Sequence, residues 1–253
     1  MVLGHGVINH LTYFESECIH LDTIYKMVIM AKQDDNISAD GPQGNQAYFQ
    51  LLSDIRDGRL VSGDRVRETD LAERFGISRT PIREAIRLLE VDGLISHQPR
   101  QGATIRRLDY AEVMELYEMR SVLEGTAARL AARSASDIEI EELISLNADL
   151  AAAGNSPEAF RLNRQFHQAL LHSTKNRFLA KSMDSLQKSL MILGPTTLTQ
   201  PDRAERAIEE HNDVLTAIRS RDGEAAEKAM RAHIEAAQRV RIRALRQLPV
   251  TEE

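Results

Sequence analysis

Residues 68–95 read ETDLAERFGISRTPIREAIRLLEVDGLI, and the punctuation inside this stretch decides the architecture. Glu68 to Phe75 makes a short helix and Gly76-Ile77 a tight turn; Ser78 caps a second helix that tolerates Pro81 in its first turn. Ile82, Ile86 and Leu89 recur at helical spacing until Asp92-Gly93 closes that helix. Two strand-like pieces follow, Leu94 to His97 and Ala103 to Arg106, joined by Gln98-Pro99-Arg100-Gln101-Gly102. Upstream, Tyr48, Leu51, Leu52 and Ile55 stripe a helix from about Gln46 to Arg56. Helix, turn, helix and hairpin is the order of a winged helix-turn-helix, whose second helix enters the DNA major groove with its N-terminal residues towards base edges.

The chemistry of that second helix suits the task. Arg79 and Arg83 lie one turn apart on one face and Arg87 continues it. Arginine carries a planar fork of donors that matches guanine O6/N7 or phosphate oxygens. Thr80 can donate its hydroxyl or amide to a phosphate at the positive end of the helix. The hairpin tip, with Arg100 and Gly102, has the shape to reach an adjacent groove. Three arginines on a helix are often a solvated face; here they open the second helix of a tight pair and a basic hairpin follows. Charge agrees: residues 64–108 carry 9 Lys/Arg against 7 Asp/Glu, whereas the whole chain is at −6, so only a local patch favours phosphates.

Outward from this module, residues 1–44 do not read as a domain. Asp34 to Gly44 is rich in Asp, Asn, Gly and Pro, and a flexible extension is expected, with Met27 and Met30 as alternative initiators. From Asp109 on, the pattern is helical in six segments, about 109–133, 136–152, 156–174, 177–193, 202–220 and 222–246. The expected organisation is an extension at 1–44, a winged helix at 45–108 and an antiparallel all-α bundle of six helices at 109–253, mainly α throughout. No apolar run reaches the roughly 20 residues of a membrane span, and no leader pattern is evident. The single cysteine, Cys18, excludes an internal disulfide framework and fits a reducing cytoplasm.

Within the bundle, polar groups stand where apolar ones belong. At 100° per residue, Asn163 and His167 fall amid Phe160, Leu170 and Leu171. His211 is ringed by Ala207, Ile208, Val214, Leu215 and Ile218; His233 sits among Ala226, Ala229, Met230, Ala237 and Val240. One such histidine is ordinarily a core residue satisfied by one hydrogen bond. Three on three helices, each costing about 1–3 kcal/mol if left unpartnered, suggest a shared divalent cation, with zinc or nickel the best match to imidazole. His172 falls on the opposite side of its helix and serves as a control. Arg120, flanked by Val113, Leu116, Leu123 and Ala127, also points inward. Glu124, one turn on, could simply neutralise it; alternatively its guanidinium could clamp a carboxylate.

Residues 68–95 closely resemble the DNA-binding signature of the GntR superfamily, and ELYEMRSVLE at 115–124 resembles the opening of the FCD effector domain of its FadR-type subfamily. The resemblance spans roughly 45–246. It implies DNA contacts at Arg79, Thr80 and Arg83 with the wing around Arg100 to Gly102, and a metal set of Asn163, His167, His211 and His233. Asn163 replaces a common Asp, which removes a negative charge from the set. Thr69 stands where some relatives have an arginine contact, so their operator preference does not transfer. Six helices resemble the VanR-like branch, whose members tend to sense small carboxylates.

Three readings follow. A homodimeric regulator, by family habit a repressor, binds a pseudo-palindromic double-stranded operator and is modulated by a small organic acid at a metal-containing pocket that includes Arg120. Alternatively the metal is structural, or is itself the signal. A metal-dependent hydrolase is the third; the absence of a Glu or Asp on the same apolar faces as the histidines speaks against a general base.

Overall fold

A computed structural model of the chain describes residues 42–98, 102–194 and 196–247. Within them lie nine α-helices and one two-stranded sheet. The expected flexible extension and the alternative initiators fall outside the described residues, except that 42–44 form the first turn of α1 (Pro42–Arg56), which starts ahead of the expected Gln46. Proline at the start of a helix forfeits only an amide that has no intrahelical partner.

α2 (Glu68–Phe75) ends on Gly76, whose φ of 66° is the left-handed turn glycine adopts without strain. α3 (Arg79–Val91) follows at once. Ser78 does stand at its N-cap position, yet its side chain makes no capping bond, contrary to expectation. Strands β1 (Ile95–Gln98) and β2 (Gly102–Ile105) pair antiparallel with Ile95 opposite Ile105, and Val66 N donates to Ala103 O to extend the ladder. The alternation of these elements buries Leu51, Ile82, Leu89, Leu94 and Ile105 in one apolar core.

The remaining helices are α4 (Tyr110–Ser134), α5 (Asp137–Ala153), α6 (Pro157–Ser173), α7 (Arg177–Met191), α8 (Pro201–Arg219) and α9 (Gly223–Gln247). The sequence-predicted boundaries hold to within about two residues because the starts are chemically specified. Asp109 with Glu112 and Ser136 with Glu139 form reciprocal capping boxes, while Ser156 and Asn176 accept from the first-turn amides. A 3₁₀ turn at Thr197–Thr199, not expected from the pattern, leads into α8. α4 and α9, 25 residues each, pack along one another; α5 packs on α6 and α8. Val113, Leu143, Phe166, Val214, Ile218, Met230 and Ile234 are fully buried between them.

The two cores meet at the end of α7. Ile192, 3% exposed, packs into the winged-helix core. Lys188 Nζ reaches Asp92 Oδ1 at the end of α3 at 2.6 Å, and Tyr48 donates to Asp92 Oδ2 at 2.5 Å. From the other side Arg241 Nη1 of α9 donates to Leu193 O at 2.9 Å. Residues 192–193 thus touch both the winged-helix core and the helix that carries His233. Ile192→Ala is expected to cost about 2–4 kcal/mol in urea unfolding; an unchanged midpoint would show that this residue is not part of the core.

Candidate functional site

Two sites emerge. On α3, Arg79, Thr80, Arg83 and Arg87 are all exposed on the outer face, while Ile82, Ala85, Ile86 and Leu89 of the same helix are buried. The amphipathic pattern of α3 therefore presents the arginines to solvent because its other side fills the core. Gly102 is exposed with φ 79°, and Arg100 lies outside the described residues. Glu68, at the start of α2, accepts from Arg83 Nε and Nη2 at 2.9 Å each and from Arg79 Nη2 at 3.1 Å. The Arg83 bonds, and after them Arg79, outweigh the upward effect of burial and lower its carboxyl to about 2.

The second site lies at the centre of the bundle. His211 is 0% and His233 3% exposed, and the His167 side chain 9%. Ligand atoms of the three lie within 4.8 Å of one another, although they come from α6, α8 and α9. His172 is exposed, as the periodicity requires. Phe166 stacks on His211 at 4.0 Å between centroids and 12° between planes, which fixes that ring.

Each imidazole meets a partner on another helix. His211 Nδ1 lies 3.0 Å from Asn147 Oδ1; Asn147 is itself oriented by donating to Ile208 O and Asn212 Oδ1. His233 Nδ1 lies 2.7 Å from Glu210 Oε2, and His167 Nδ1 lies 2.5 Å from Glu124 Oε2. Glu124 Oε1 accepts from Arg120 Nε at 2.6 Å, and Glu210 Oε2 pairs with Arg203 Nη2 at 2.9 Å. Two rows result, Arg120–Glu124–His167 and Arg203–Glu210–His233.

Electrostatics follow from this burial. Burial, then the neighbouring histidines, holds His211 and His233 well below the usual imidazole range, so both are neutral near pH 7. Burial would raise the Glu124 carboxyl, but Arg120 and then His167 outweigh it and hold it well below the carboxylate range. Burial likewise opposes the Arg120 charge, and Glu124 with Tyr117 raises its pKa nonetheless. In the second row burial wins on both partners: Glu210 is raised and Arg203 lowered despite their pairing.

The donor set fits a borderline divalent cation. Asn163 Oδ1, His167 Nε2 and His211 Nε2 are buried with no hydrogen-bond partner among the described residues. A neutral imidazole whose Nδ1 is held by an amide or carboxylate offers its Nε2 lone pair to a metal, and such outer partners fix the tautomer.

Comparison with known proteins identifies the family of both modules. The profile of bacterial regulatory proteins of the gntR family matches residues 43–105, and the FCD domain matches 115–236. "Uncharacterized HTH-type transcriptional regulator YdhC" of Bacillus subtilis is 33% identical over 74% of this chain and 86% of its own length. The chain belongs to the gntR family and carries an FCD domain. "Probable D-xylose utilization operon transcriptional repressor" of Paenarthrobacter nicotinovorans is 31% identical over 74% of this chain and 83% of its length. The fold is shared with a solved structure of E. coli McbR/YncC, at 24% identity, a TM-score of 0.69, and 81% of this chain and 99% of that one covered. Both of these curated relatives carry the names of transcription regulators.

Sequence reasoning brought the three histidines together and placed Arg120 inward, with its side chain 13% exposed. One argument needs correction. Carboxylates do stand beside the histidines: a wheel drawn for one helix cannot show that Glu124 of α4 reaches His167 on α6, or that Glu210 of α8 reaches His233 on α9. Asn147, Glu210, Arg203 and Glu68 were missed. Asn147 could have been found as a polar residue inside the stripe of Ile140, Leu143 and Leu150; Glu210 had no such signal.

The neutral histidines make metal-free protein acid-sensitive. Above about pH 6.5 folded and unfolded chains both hold them uncharged; below it the unfolded chain takes up protons that native His211 and His233 refuse, so stability falls. After chelation, the melting temperature is expected to drop more steeply from about pH 7.5 to about 5.5 than in His233→Gln, which has one such group fewer. Equal slopes would contradict the buried neutral state.

Proposed function

We propose that this gntR-family chain is a homodimeric, cytoplasmic repressor whose grip on a pseudo-palindromic double-stranded operator is tuned by a small carboxylate bound at a metal-containing pocket. The winged helix, proposed to span 45–108, reads DNA through Arg79, Thr80, Arg83 and Arg87, with Arg100 and Gly102 in the wing. The bundle, proposed to span 109–253, holds the metal at Asn163, His167, His211 and His233, zinc or nickel best suiting the imidazoles. The observation that carries the sensor half is the convergence of three buried histidines from three helices on one point, two of them with an unpartnered buried Nε2. Repression is supported by the repressor names of relatives from Paenarthrobacter nicotinovorans and E. coli.

A bound cation supplies Lewis acidity and open coordination positions for a carboxylate oxygen. The chain's own residues do the rest. Asn147, Glu124 and Glu210 orient the imidazoles, and the Arg120 guanidinium, whose Nε is engaged by Glu124 and which Tyr117 also contacts, is the proposed carboxylate clamp. His233 and Arg241 share α9, and Arg241 bonds Leu193 O beside the inserted Ile192, so a shift of α9 at the pocket reaches the reader core. Half-site spacing is strict for a dimer, and a small rotation of the heads weakens the operator complex.

The Arg120–Glu124 pair favours one second reading, in which the guanidinium is structural and the metal is structural or is the signal. Replacing His211 by Ala is expected to abolish stoichiometric metal in elemental analysis of purified protein; metal content equal to the parent would refute the ligand set. Separately, Arg79→Ala and Arg83→Ala are each expected to weaken specific operator binding by about 1–3 kcal/mol. Unchanged affinity would remove them from the interface.

A further inference from the structure

An acid stands within the face that carries the reading arginines. Glu68 is the first residue of α2, its side chain 25% exposed beside Arg79 and Arg83 at 59% and 50%. A carboxylate there opposes the approach of phosphates, so its contribution must come through the groups it holds. Its two oxygens take Arg83 Nε and Nη2 at 2.9 Å each, and the second oxygen also takes Arg79 Nη2 at 3.1 Å.

The choice of nitrogens matters. A guanidinium has a side edge, made of Nε and Nη2, and an end edge, made of Nη1 and the other Nη2 hydrogen. Glu68 occupies the side edge of Arg83 and leaves the end edge uncommitted to it. Guanine presents O6 and N7 side by side in the major groove and is read by two parallel N–H donors, which an end edge supplies. A long side chain that must be immobilised on docking loses rotamer freedom; one already held has lost it beforehand.

We propose that Glu68 is a specificity-determining positioning residue, whose carboxylate presets Arg83, and through a shared oxygen Arg79, as forks for guanine in a double-stranded operator. The inference rests on the assignment of Arg79 and Arg83 as base readers made above. The low pKa of Glu68 keeps the brace ionised across the physiological range. Glutamine at this position loses the charge and turns one acceptor into a donor facing arginine.

The test uses a pool of randomised DNA duplexes and full-length protein. Wild type is expected to enrich guanine at matched positions of two half-sites. Glu68→Gln is expected to lower that guanine preference about tenfold, while its binding to a fixed duplex of unselected sequence stays equal or tightens because a negative charge has gone. A purely structural role would lower both together, and that result, like an unchanged guanine preference, overturns the proposal. Should Glu68→Gln not fold, as judged by its thermal melt, Glu68→Asp withdraws the carboxylate by one methylene and is held to the same two outcomes. Arg83→Ala separates the levels: guanines retained in Arg83→Ala sink the base-reader assignment, whereas guanines lost there and retained in Glu68→Gln sink only the brace.

Discussion

Three imidazoles buried at the centre of a helix bundle impose the constraint on which the arrangement of that bundle depends. A buried polar group without a partner costs about 1–3 kcal/mol, so every ring needs an answering group from a neighbouring helix. Asn147 on α5 answers His211, Glu210 on α8 answers His233, and Glu124 on α4 meets His167. These contacts tie α8 to α5 and α9, and α6 to α4, in a register that apolar packing by Leu, Ala and Ile would specify less sharply. His167 Nε2, His211 Nε2 and Asn163 Oδ1 are buried without a hydrogen-bond partner among the described residues, and this supports the proposed cation site.

Charge in the same region is organised in rows rather than scattered. Arg120–Glu124–His167 and Arg203–Glu210–His233 each group a guanidinium, a carboxylate and an imidazole, with the carboxylate in contact with both of the others. The rows differ in balance. In the first, ion pairing outweighs burial and Glu124 is held ionised; in the second, burial outweighs pairing, so Glu210 is raised and Arg203 lowered. Arg203 also keeps Nε and Nη1 buried and unbonded among the described residues. The second row is thus the more costly of the two, and the one that a change beside His233 perturbs most readily.

The winged helix meets this region through a short piece of chain. Ile192 belongs to the winged-helix core, Leu193 O is held by Arg241, and Lys188 grips Asp92 at the end of α3. A segment that contributes to one core and is bonded to a helix of the other joins the two packed cores directly. Arg79 and Arg83 of α3 meanwhile both donate to Glu68 of α2.

Much of the architecture was legible in the residues alone. Capping residues and glycine stops set the helix boundaries, helical periodicity marked which faces turn inward, and the three misplaced histidines announced a shared centre, because each of these signals is local to one element. The tertiary structure decided what lies between elements: that Glu124 stands between Arg120 and His167, that Glu210 rather than a residue of its own helix serves His233, that Asn147 orients His211, and that Ile192 crosses into the other core. Periodicity tells which side of a helix is buried, but not the axial offset or rotation at which two helices meet. Those are fixed by packing many side chains at once, and a contact of 3 Å between helices depends on them entirely.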